Sequence, residues 1–233
     1  MQKMIEHLKQ LSEALRLEDN YNWEIPSNTP ILIPPNISDN YSRNIHLKEH
    51  LGESLERDSG LKIHYWIIQE WGGIRTFKKN ERNDQKISEF KSQLDYGELK
   101  RPTFNLISSL SKIASFMQPD KYAIYDSRAI YALNWLIFCH SEQKKLFPQP
   151  AGRSAELAKY DIQTIIRLAD NGHEYRSHKT AYHDYCDLLK GLSMEVYDDD
   201  NPYKVEMLLF LAAPTVIIDS IRSSVSISIN SNA

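Results

Sequence analysis

Apolar residues return every three or four positions along most of this chain, and almost nowhere do they alternate with polar ones. That spacing gathers an apolar stripe on one side of a helix, whereas a half-buried strand needs a period of two. Ile5, Leu8, Leu11 and Leu15 open the pattern. Residues 20–43 carry Pro26, Pro30, Pro34 and Pro35 and read as an extended loop. Helices are expected around 45–57, from Leu61 to Trp71 before Gly72-Gly73, and from a cap at Asp84 to Gly97. Thr103 to Met117 reads as one helix or as two broken at the serines, ended by Pro119. Ser127 to His140 forms a strongly apolar helix. Ser154 caps another that reaches Asn171-Gly172. His178 to Leu189 is stopped by Gly191, and Asn201-Pro202 opens a last helix running through Leu209. Only Ile31–Ile33 and Val225–Ile229 are short strand candidates, and no repeat has a fixed period. The expectation is an all-α fold of about eight or nine helices. Residues 1–222 form one unit and the Ser-rich tail 223–233 frays.

Length and charge narrow the function. The 233 residues suffice for one large domain or two small lobes sharing a core. A net charge of -3 fits poorly with a protein that coats nucleic acid, yet it permits one local basic groove. Such a groove is indicated between Arg75 and Lys112, where nine basic residues face five acids. Within it, Arg75, Lys78, Lys79 and Arg82 are candidate contacts to a phosphate backbone, against the alternative of a solvated loop. Two cysteines without a CxxC fit a reducing compartment and argue against a zinc ribbon or disulfide scaffold. The N-terminus carries charge in place of an apolar signal core, and no run approaches a membrane span. The chain reads as cytoplasmic, without membrane contact and monomeric. His173, His178, His183 and Cys186 do not share one helix face, so no metal and no cofactor is expected.

Chemistry concentrates in one stretch. Leu106, Ile107, Leu110, Ile113, Ala114 and Met117 form a buried helical face, and Lys112 lies beside it. A partly desolvated lysine becomes a nucleophile or a donor; otherwise it is a snorkelling surface residue. Asp126 precedes the apolar helix that begins at Ser127. It is either a helix cap alone or a carboxylate able to stabilise a sugar cation or activate a water. Trp66, Trp71, Tyr122, Tyr125 and Trp135 are candidates for stacking on a base, with Tyr125 favoured beside Asp126, although aromatics at helical spacing commonly belong to a core. No P-loop, GxGxxG or GxSxG competes.

From about Phe104 to Asn134, roughly an eighth of the chain, this arrangement resembles the helix-hairpin-helix superfamily of DNA glycosylases, in its lysine-bearing 8-oxoguanine glycosylase-like branch. Lys112 falls at the family's lysine, and Asp126 in Ile124-Tyr125-Asp126-Ser127-Arg128 at its essential aspartate. Val205 to Phe210 resembles the family's last core helix. Three features depart from the family. The hairpin stretch Ile107-Ser108-Ser109-Leu110-Ser111 has no glycine, the gap from Lys112 to Asp126 is short, and no cysteine set for an iron–sulfur cluster exists. Ser109, Ser111 and a free helix start would have to take over the phosphate contact. The resemblance implies a two-lobed helical bundle with the active-site cleft between lobes. It implies double-stranded DNA as partner and excision of a damaged base, or of a modified base in foreign DNA. The base would be flipped into a pocket that includes Tyr122, Tyr125, Arg128 and Trp135. Asp126 would support the breaking glycosidic bond, and Lys112 would attack the sugar carbon or remain a cation, the first route giving strand nicking as well. The alternative is a non-catalytic DNA- or protein-binding module of a defence or mobile-element complex.

Overall fold

The computed structural model describes residues 1–142, 145–169 and 172–226, of which 63% are helical and 2% are strand. The apolar stripe of α1 (Gln2–Ala14) buries Met4, Ile5, Leu8 and Leu11. Next come α2 (Leu17–Asn20), a long irregular segment, α3 (Asn40–His50) and α4 (Gly52–Glu56). Then α5 (Lys62–Trp66) runs on into a wider π-turn at Ile67–Trp71. After it lie α6 (Glu81–Tyr96), α7 (Arg101–Phe104), α8 (Ile107–Met117) and α9 (Ser127–His140). Two residues of β1 (Lys145–Leu146) pair in parallel with β2 (Glu174–Tyr175), and α10 (Ala155–Ala158) and α11 (Ile162–Leu168) lie between them. The chain continues through α12 (Ala181–Tyr197), α13 (Pro202–Ala212), a second π-turn at Ala213–Ile217 and α14 (Ile218–Ser224).

Local signals set several boundaries as expected. Asp126 caps α9, Pro202 opens α13, and Gly97 closes α6 in the left-handed region at φ +84°. Others are displaced. Asn80, not Asp84, caps α6, accepting the Asn83 N–H at 2.9 Å. The break between α7 and α8 falls at Asn105-Leu106, ahead of the serines. The segment after Ser154 splits in two because Asp161 caps a fresh helix through the Thr164 N–H. Gly191 lies inside α12, where burial of Leu189 and Leu192 on either side outweighs a glycine's cost of about 1 kcal/mol. Ile31–Ile33 is irregular. Of the other strand candidate, Val225 is not a strand residue and residues 227–229 lie outside the described ones, as does the tail from 227 onward. Ser223 and Ser224, assigned to the tail from the sequence, belong to α14.

A large apolar core joins α1, α6, α8, α9, α12 and α13. A smaller cluster of Leu47, Leu51, Leu55, Trp66, Ile67, Trp71, Phe116 and Ile124 packs beside it. Trp23 and Met117 touch both. Where the two meet, the ends of several elements leave a cavity. Among the described residues no helix is long and apolar enough to cross a membrane.

Candidate functional site

The cavity measures about 710 Å³, within the range of small-molecule sites. One wall is α8. Its apolar face fixes the helix against the core, which turns Ser108, Ser109 and Lys112 toward the cavity. Lys112 is only 6% exposed. Its stem crosses Gly72, where a β-carbon would sit 2.7 Å from Lys112 Cδ, and its Nζ donates to the Ser108 carbonyl at 2.7 Å. Burial pushes the Lys112 ammonium below its ordinary pKa, the charges of Asp126 and Glu206 pull it back up, and Arg153 adds to the lowering.

Asp126 stands at the end of an extended segment, residues 122–126, that is held by side chains. Tyr182 Oη donates to the Ala123 carbonyl and Tyr185 Oη to the Ile124 carbonyl, both at 3.0 Å. The Tyr125 N–H donates to Ser111 Oγ at 3.0 Å, and the Ala123 N–H points to Cys186 Sγ. The half-buried Asp126 then caps α9, accepting the Arg128 N–H on Oδ1 at 2.8 Å, and its carboxylate lines the cavity.

A third wall comes from α13, which contributes Glu206 and Phe210. Glu206 is 4% exposed and its Oε2 has no hydrogen-bond partner. Burial raises its pKa, Lys48 opposes the rise, and Asp126 adds to it. Lys48, from α3, is itself lowered by burial; its Nζ donates to Ser115 Oγ at 3.0 Å and lies 4.6 Å from the Phe116 ring centre. Trp23 packs on Trp71 and Phe210 at ring separations of 5.8 and 5.7 Å, and the Arg128 guanidinium covers Phe210 at 4.7 Å. Residues 149–154 close the remaining side. There Gln149 donates from Nε2 to the Ser127 carbonyl while its Oε1 has no partner. The wall thus combines flat aromatic faces, three basic side chains (Lys112, Arg128, Arg153) and two acidic ones (Asp126, Glu206).

Of the residues singled out in the sequence, Lys112, Asp126, Arg128 and Ser109 share this cavity, and Trp71 joins them. The others lie elsewhere. Tyr125 is fully buried, donates to the Pro148 carbonyl at 2.9 Å and packs on the Phe104, Tyr182 and Tyr185 rings. Tyr122 stacks on Tyr182, and Trp135 donates to Ser220 Oγ from within the core. These three aromatics are structural supports behind the wall, Trp135 on the inward face of α9 and Tyr122 and Tyr125 in the extended segment ahead of it. Ser111 is buried and committed to the Tyr125 N–H, so it does not offer its hydroxyl to a phosphate. Arg75, Lys78 and Arg82 are exposed, Arg75 beside the wall residues Ile74 and Thr76. Lys79 is occupied by the Gly60 carbonyl at 2.8 Å and by Asp84 at 3.6 Å. Glu206, Lys48, Gln149, Arg153, Trp23 and Phe210 were not foreseen. Glu206 alone had a visible signal, as the single carboxylate in the apolar run from Val205 to Ala213. Among the described residues no group of three or more His, Cys, Asp or Glu is placed to hold a metal. No protein-family model matches this chain, and no curated protein or solved structure matches it either.

Proposed function

We propose that the protein is a DNA N-glycosylase that flips a damaged or modified base out of a duplex and excises it. One observation carries this reading: Lys112 and Asp126 line the same aromatic-walled cavity. An extruded base needs flat apolar faces, which Trp23, Trp71 and Phe210 offer, and polar groups at its edge. As the glycosidic bond breaks, positive charge develops on the sugar, and the carboxylate of Asp126 stabilises it. Burial favours the neutral amine of Lys112, the form able to attack the sugar carbon and give a Schiff base. Arg75, Lys78 and Arg82 extend the basic surface along which the duplex backbone would lie.

The test is incubation with duplexes carrying a panel of oxidised, deaminated, alkylated and hypermodified bases, followed by detection of released base. Asp126→Asn, which retains a capping side chain, is expected to lower release by about 10²–10³-fold with the fold intact. Borohydride should trap a covalent adduct with the native chain and none with Lys112→Gln. Failure of the native protein to release any base sinks this reading. A second reading, a non-catalytic binding module, is favoured by the work the two side chains already do, since Lys112 Nζ is bonded to Ser108 and Asp126 Oδ1 caps α9. Tight duplex binding without base release would select it.

A further inference from the structure

Helix α3 supports the cavity from behind. Its inner side buries Asn44 and Lys48. Asn44 Nδ2 donates to the Trp23 carbonyl at 2.7 Å, its Oδ1 accepts from Trp71 Nε1 at 2.8 Å, and Lys48 reaches Ser115. Two residues on, and so about 200° round the helix, the same four-residue spacing sets His46 and His50 together on the outer side. Their rings stack with centres 4.1 Å apart and planes inclined by 25°. They belong to the run His46-Leu47-Lys48-Glu49-His50. In that His-x-x-Glu-His spacing, zinc hydrolases present two imidazoles from a single helix. Each ring already spends one nitrogen. His46 Nε2 lies 3.3 Å from the Leu32 carbonyl oxygen, and His50 Nδ1 lies 2.9 Å from the His46 carbonyl oxygen. A carbonyl oxygen only accepts, so both of these nitrogens carry the hydrogen. The neutral rings therefore hold their lone pairs on His46 Nδ1 and His50 Nε2. A metal-binding histidine is arranged in this way, one nitrogen ligating while the other donates to a group that fixes the ring. Two imidazole nitrogens on one tetrahedral zinc ion lie about 3.3 Å apart, given Zn–N bonds of about 2.0–2.1 Å. Rings stacked at 4.1 Å need only a small tilt to meet that spacing.

We propose that His46 and His50 form a binding site for a divalent transition-metal ion of the zinc class, ligated by His46 Nδ1 and His50 Nε2. Glu49 turns its charge to Tyr41 and Tyr203, so water completes the shell and no hydrolytic step is assigned to the ion. The ion staples one turn of α3. Because the Leu32 carbonyl holds the His46 ring, it also fastens the proline-bearing segment around Leu32 to that helix. The site stands apart from base excision, and its test needs neither DNA nor activity.

In the experiment, tag-free protein stripped of metal is titrated with Zn²⁺ alone by calorimetry and followed by thermal melting, with Mg²⁺ as the comparison ion. Zn²⁺ is expected to bind and to raise Tm in a saturable way. Mg²⁺ is expected to do neither, because it prefers oxygen ligands and gives up its water reluctantly. His50 is exposed on a helix, a position that alanine suits. His50→Ala is therefore expected to leave the metal-free Tm nearly unchanged, to weaken Zn²⁺ binding by at least about tenfold and to remove the Tm rise. His46→Ala is expected to lose the metal in the same way. His7→Ala is the control, since His7 faces His140 at a ring separation of 5.1 Å and offers zinc another imidazole pair. It is expected to bind Zn²⁺ as the native chain does. A native chain that takes up no Zn²⁺ overturns the proposal. So does binding that survives His50→Ala, or binding that is lost in His7→Ala alone.

Discussion

At the scale of single residues, the cavity is an exercise in burying charge in balanced pairs. Lys48, Lys112, Asp126 and Glu206 put two cations and two carboxyl groups in one neighbourhood where water scarcely reaches the lysines and the glutamate. Charge taken out of water is tolerated only with partners, and removing one member strands the rest. Asp58 shows the same logic at a helix start. Burial opposes its ionisation, but the bond from His64 Nδ1 at 3.0 Å and the N–H groups of Ile63, Lys62 and His64 outweigh it, so its pKa lies below the ordinary carboxylate value. Burial lowers the His64 pKa, against the pull of Asp58. Both groups bind protons less readily in the folded state. Each contributes stability that is present above its unfolded pKa and is lost as pH falls through its folded value. Acidification should thus weaken the fold in two windows, below about 6.5 for His64 and below about 3.9 for Asp58. Asp58→Ala is expected to cost about 1–2 kcal/mol at neutral pH, with the deficit shrinking toward pH 3, as read by urea unfolding at both values.

At the scale of elements, what matters is how helix ends meet. The π-turn at Ile67–Trp71 delivers Gly72 against the Lys112 stem, and a β-carbon there would lie 2.7 Å and 2.8 Å from Lys112 Cδ and Cε and 2.9 Å from the Ile67 carbonyl oxygen. Gly72→Ala is expected to push Lys112 off the Ser108 carbonyl, cost about 1–3 kcal/mol and abolish any borohydride-trapped adduct; an unchanged melting temperature and adduct yield would refute this. Elements were legible in the sequence where their signals are local. Asp126 before an apolar run and Pro202 after Asn201 each decide a boundary within one turn, so α9 and the start of α13 stood out. The passage of α12 through Gly191 did not, because the force that overrides glycine is packing against distant helices. The site divides in the same way. Lys112 and Asp126 belong to one short stretch and were visible together. Glu206 and Lys48 meet them only through the packing of α13 and α3, which no local pattern encodes.

At the scale of the whole molecule, a chain of net charge -3 carries a cavity whose wall has three basic side chains against two acidic ones, and the exposed Arg75, Lys78 and Arg82 lie close along the chain to its wall residues Ile74 and Thr76. On the proposed base-excision reading, that asymmetry is expected to make duplex binding steep in salt. Arg75→Ala with Lys78→Ala should weaken affinity and reduce the slope of log Kd against log salt by about 1 for each phosphate no longer neutralised, while single-turnover excision at saturating protein is retained. Titrations from low to moderate salt check this, and an unaltered slope would remove the two residues from the interface. The clamping of residues 122–126 sets a mechanical rule for the site. Ser111 and Cys186 take up two of the segment's N–H groups, the phenols of Tyr182 and Tyr185 two of its carbonyls, and Asp126 is itself tied to the first turn of α9. The aspartate is thus mounted on a rail bolted to α8, α9 and α12, with no hinge by which to travel. Displacing the aspartate means breaking bonds to three helices together, so its carboxylate stays where the fold puts it and a guest must come to meet it.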